Sequence, residues 1–95
     1  MVKWRGSVVV RFFYARGFEV LCIVIKVFFG DHPPPHFHAI YGENNALVSI
    51  ESLEIIEGDL PSRAQKLVLE WATLYQQDLL QMWNTQEFRK LPPLK

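Results

Sequence analysis

Asp31-His32-Pro33-Pro34-Pro35-His36-Phe37-His38-Ala39-Ile40-Tyr41 is the stretch around which the chain is organised, and it holds all three histidines. Proline fixes φ and pushes the preceding residue out of the helical region, so Pro33 to Pro35 predict a stiff, extended polyproline lead. From His36 the chain regains its backbone donors, and His36 to Tyr41 reads as a strand entered from that lead. Alternate residues of a strand share a face. His36 and His38 therefore point the same way with Cα atoms about 6.7 Å apart, a spacing from which two imidazoles can converge on one ion. His32 stands about 12 Å from His36 along polyproline II. A site using all three rings needs a turn or a cis X-Pro bond.

Working outward, Val8 to Tyr14 is β-branched and aromatic and predicts a strand, with Ala15-Arg16-Gly17 as a turn. Phe18 to Phe29 predicts a second, longer strand. Both of its faces are mostly apolar, as in a central strand covered on at least part of each side. Downstream, Gly42-Glu43-Asn44-Asn45 predicts a hairpin turn into a strand from Ala46 to Ile50, and Leu53 to Glu57 a short further strand ended by Gly58. Asp59 as a cap, with Pro61 in the first turn, predicts a helix start. Ala64, Leu67, Val68, Trp71, Tyr75, Leu79 and Met82 then form one apolar stripe at helical period, from Ser62 to about Trp83. Leu69 and Leu80 fall outside the stripe and are candidates for an exposed partner surface. Pro92 and Pro93 end any helix, so the tail is expected to fold back or to bind as an extended strand.

The expected fold is α+β: a small antiparallel sheet of three to five strands packed by one long C-terminal helix. Residues 1–95 form one domain by length, and such a chain buries roughly two-thirds of its unfolded surface. It divides into an arm (1–7), a β-rich part (8–57), a helix (61–85) and an extended tail (86–95).

Composition is that of an ordinary globular protein, 49% hydrophobic and 21% charged, which argues against disorder. The formal net charge is zero. No overall basic field invites nucleic acid. Charge is nonetheless sorted along the chain: residues 1–30 carry five basic side chains against Glu19, whereas residues 31–60 carry six acidic ones and no Lys or Arg. Such sorting suits self-association or a charged protein partner, and solvated strand faces also account for it. The single Cys22 excludes an internal disulfide and, inside an apolar run, reads as a buried small hydrophobe in a reducing compartment. Lys3 and Arg5 ahead of apolar residues imitate a signal peptide, but Arg11, Arg16, Glu19 and Lys26 interrupt the run, which falls far short of the roughly 20 residues of a spanning helix. A cytoplasmic protein with no membrane partner is expected.

For chemistry, the candidate metal ligands are His36 and His38, with His32 and Asp31 completing the shell around a divalent metal such as zinc. Catalytic zinc takes three protein ligands and an open position, which two histidines do not supply. The same rings serve equally as hydrogen-bonding or packing residues at a proline-rich entry. A ribonuclease-type toxin is a third reading, with His38 or His36 as general base and Arg11 steadying phosphate. The acidic middle segment, which repels RNA, counts against it. No C-x-x-C, H-E-x-x-H, phosphate loop or nucleophile elbow is present, so no catalytic residue is assigned and catalysis itself stays open.

The run His32-Pro33-Pro34-Pro35-His36-Phe37-His38-Ala39-Ile40-Tyr41-Gly42, with Ala46 to Ile50, Leu53-Glu54, Glu57 to Pro61, Leu69 to Ala72 and Trp83-Asn84, resembles a family of small bacterial proteins. That family is filed as a domain of unknown function, the one numbered four-one-six-zero. The resemblance spans roughly Ile23 to Leu94 and implies a small α+β domain with no established activity. Its members are often encoded beside a second small domain, which implies a protein partner and a toxin-antitoxin-like pairing. The chain departs from the family pattern where Ala15 to Cys22 intervene between Arg11-Phe12-Phe13-Tyr14 and Ile23-Val24-Ile25. That insertion reads as an extra hairpin, an altered edge strand or an extension.

Overall fold

The two apolar runs on either side of Gly17 pair with each other along their length. In the computed structural model, which describes residues 7–16, 19–28, 34–85, 87 and 91–93, β1 (Ser7–Arg16) and β2 (Glu19–Phe28) form an antiparallel hairpin with register Ser7↔Phe28 to Arg16↔Glu19. β3 (His36–Tyr41), β4 (Asn44–Ser49) and β5 (Ile55–Gly58) add in sequence order. The result is a five-stranded antiparallel sheet followed by one helix, α1 (Ser62–Thr85). The expected α+β class is the observed one. Of the expected arm, residues 1–6 lie outside the described residues and Ser7 opens β1.

β1 and β2 are ten residues each, longer than the strands that follow. β2 pairs with β3 at Val24↔Ile40, Ile25↔Ala39 and Lys26↔His38, so the distal half of β1 and β2 reaches beyond the rest of the sheet. At the other hairpin, Gly42 and Glu43 are the two loop residues between the paired Tyr41 and Asn44. Gly42 has φ +59°, the positive value that the first loop position of a type II′ turn requires.

Strand alternation sorts the side chains into two faces. Val10, Ile25, Ala39 and Ala46 form one cross-strand row. With Val8, Ile23, Val27, Phe37 and Val48 they are buried. Against them α1 buries Ala64, Leu67, Val68, Trp71, Ala72, Leu79 and Met82, the predicted stripe with Ala72 added and with Tyr75 half-buried. Phe37 and Trp71 meet edge to face with ring centroids 5.9 Å apart, a favoured aromatic geometry. Trp71 also donates its indole N–H to the carbonyl of Pro92 at 2.9 Å, and Leu91 is buried. The tail therefore folds back onto the core here.

Four expectations are corrected. Cys22 is exposed, because its odd-numbered neighbours in β2 take the helix side and leave it on the other. Leu69 and Leu80 are half-buried and packed against the core, because the sheet is wider than a narrow stripe and receives the flanks of the helix too. Leu74 is the helical leucine that stays out, 64% exposed. Asp59 does not cap α1: its Oδ1 accepts from the Leu60 N–H at 2.9 Å, while the carbonyl of Pro61 accepts the first helical bond from Gln65. Finally, the proline lead bends at Pro34 instead of running straight, and the Ile50 N–H ties the Pro35 carbonyl to the end of β4 at 3.0 Å.

α1 is itself bent at Tyr75, whose φ and ψ of −114° and 17° are not helical. Just before the bend, Thr73 Oγ1 donates to the Leu69 carbonyl at 2.7 Å, a back-bond of the kind that bends helices. Just after it, Gln76 Nε2 donates to the carbonyls of Ile50 and Glu51 at 2.8 and 3.1 Å. The second half of α1 is thereby fastened to the loop that leaves β4.

Candidate functional site: a histidine pair and an open sheet face

β3 places His36 and His38 on the face away from the Phe37 and Ala39 core. Their ring centroids lie 5.4 Å apart, nearly edge to face, so the pair foreseen from the spacing is formed. Both rings are also packed among aromatic neighbours. Trp83, in the last turn of α1, lies 5.2 Å from His36, and Phe28 meets His38 edge-on at 5.0 Å.

His36 is 7% exposed, and its Nδ1 lies 2.7 Å from the carbonyl oxygen of Pro34. A carbonyl can only accept, so Nδ1 carries a proton. Nε2 of His38 is buried. Of the other sequence-derived candidates, His32 and Asp31 lie outside the described residues. Among the described residues no group of three or more His, Cys, Asp or Glu side chains could hold a metal ion. Arg11 shares the face of the pair, two strands and two residues from His38, a Cα separation of about 12 Å by sheet spacing.

The same face is larger than the pair. By register, Val9, Lys26, His38, Leu47 and Glu57 form one row across all five strands, and Arg11, Val24, Ile40 and Asn45 form the next. Phe13 is 70% exposed and Val9 37%, while Val24, Phe28, Ile40 and Leu47 are half-buried. Between β3 and β5 the face dips into a shallow hollow of about 210 Å³ lined by His38, Asn45, Ala46, Leu47, Glu57 and Gly58. α1 packs on the opposite side and reaches this one at Trp83, beside His36. Sequence reasoning singled out Leu69 and Leu80 on the helix and not this sheet face. The usable signal was the alternation in β1 and β2, where Arg11, Lys26 and Cys22 fall on one side of both strands.

These features define a class: a small α+β domain whose helix covers one face of an antiparallel sheet and whose other face stays open, with a histidine pair at the entry of the middle strand. The family model described as Domain of unknown function (DUF4160) matches residues 22–84, and the chain belongs to that family. Most of the β1–β2 hairpin, Ser7 to Leu21, precedes the matched region. No curated protein and no solved structure shows a significant similarity to the chain. No helix among the described residues is long and apolar enough to cross a membrane.

Proposed function

We propose that the chain is a protein-interaction module that meets its partner across the open face of the sheet, as one member of a toxin-antitoxin-like pair. The observation that carries this reading is the exposure of apolar side chains, Phe13 and Val9 with half-buried Val24, Ile40 and Leu47, on the face opposite the α1 core. Exposed apolar side chains interspersed with charged ones, as Arg11 and Lys26 are here, suit a protein contact. Arg11, Lys26 and Glu57 supply the charge and set the register of approach. The packing of both histidines against aromatic rings weighs in the same direction.

The test is co-expression of the chain with the product of its neighbouring reading frame, followed by purification on a single affinity tag. Joint recovery that is lost in Leu47→Arg and kept in Leu74→Arg supports the reading. Recovery of the chain alone, with no self-association, removes it. One observation favours a second reading, a metal site. His36 donates its second ring nitrogen to a backbone carbonyl, as metal-ligating histidines commonly do.

A further inference from the structure

We infer that the occupant of the open sheet face is a second copy of this chain, packed face to face about a two-fold axis that runs along the strands between β3 and β4. The inference rests on the interaction reading above and names its partner. Its basis is the way charge is laid across one cross-strand row. Lys26 on β2 and Glu57 on β5 bracket His38 and Leu47, and Arg11 adds positive charge on the β1 side.

A self-complementary contact repeats every pairing twice. Only some symmetry axes suit this face. An axis lying across the strands sets each strand over its own copy, with Lys26 facing Lys26 and Glu57 facing Glu57. Such like-charge juxtaposition opposes association. An axis along the strands reverses the strand order, so that Lys26 of each copy stands over Glu57 of the other and His38 over Leu47. Ile40 of each copy then stands over Asn45 of the other, the β1 side chains Val9 and Phe13 lie outside the overlap, and the two sheets are about 10 Å apart with their strands within about 30°.

The four overlapping strands, each about 4.8 Å wide, run about 20 Å along β2 to β4 and about 13 Å along the four residues of β5, a flat footprint of about 350 Å² before side-chain relief is added. A specific interface needs about 500 Å² from each partner. The expected assembly is therefore a reversible dimer.

Reciprocal charge reversal tests it. Within one chain Lys26 and Glu57 sit three strands apart, about 14 Å, with His38 and Leu47 standing between them. Any rescue of one reversal by the other has to act between copies. Sedimentation velocity of the full chain, from about 1 to 500 μM, is expected to show a micromolar dimer. Lys26→Glu and Glu57→Lys should each weaken it about tenfold or more, and the double variant should return to within about threefold of the parent. Glu57 is exposed, so Glu57→Lys keeps the test sound even where Lys26→Glu disturbs folding. A monomer throughout the range, or a double variant weaker than either single one, overturns the inference. If the chain is monomeric yet binds its co-expressed neighbour through Leu47, the inference fails and the interaction reading stands. If it binds neither, both fail.

Discussion

Pro34 and His36 are joined by a hydrogen bond of 2.7 Å in which the imidazole Nδ1 donates and the proline carbonyl accepts. It ties the ring to the proline lead, and the same ring lies 5.2 Å from Trp83. A group that donates from the same position should replace it best. Asn presents its amide nitrogen close to where Nδ1 lies, so His36→Asn should retain more stability than His36→Ala, by about 1 kcal/mol in urea unfolding. Equal losses would show that the bond contributes nothing.

Gly42 and Gly58 both have positive φ, +59° and +78°, but their surroundings differ. A Cβ at Gly42 meets open space, whereas one at Gly58 overlaps the backbone carbonyl of Asn45 on the neighbouring strand. Gly42→Ala should cost about 1 kcal/mol, the left-handed penalty alone. Gly58→Ala should cost more, about 2 kcal/mol or above, and loosen β5, visible as faster amide exchange at Ile55 to Gly58.

Trp71 is fully buried and holds the tail through Pro92. Truncation to Ala removes the largest core side chain and should destabilise by about 3–5 kcal/mol. Trp71→Phe is the more informative change. It keeps a ring against Phe37 but removes the donor, so residues 91–93 should lose protection in proteolysis or amide exchange before the sheet does.

Cys22 stands exposed on the open face. In the folded chain it should react with an aromatic disulfide reagent at a rate close to that of the denatured protein. Slow reaction would place it in a buried setting, as its apolar sequence context suggests.

The metal reading has its own check. Protein purified without a histidine tag and dialysed against zinc should carry well under one equivalent, since the described residues bring two imidazoles together and not three ligands. One equivalent that disappears in a His36→Ala, His38→Ala variant would establish a metal site instead.

Much of the fold was legible residue by residue because its determinants are local. The bounds of β3 follow from where the prolines stop and Gly42 begins, and the buried stripe of α1 follows from spacing near 3.6 residues per turn. The shared facing of His36 and His38 follows from strand alternation alone. The bend at Pro34 was not legible, since a run of prolines by itself favours extension.

What the chain could not decide locally is which apolar surface is covered. β2 is mostly apolar on both sides, and nothing in its own residues chooses between the Ile23, Ile25 and Val27 face and the Cys22 and Val24 face. The choice is made when α1 docks: one helix can cover only one side of a sheet, and its breadth draws in Leu69 and Leu80 on the way. The side left over, with Lys26 and Glu57 three strands apart on it, exists as a surface only once all five strands are in register.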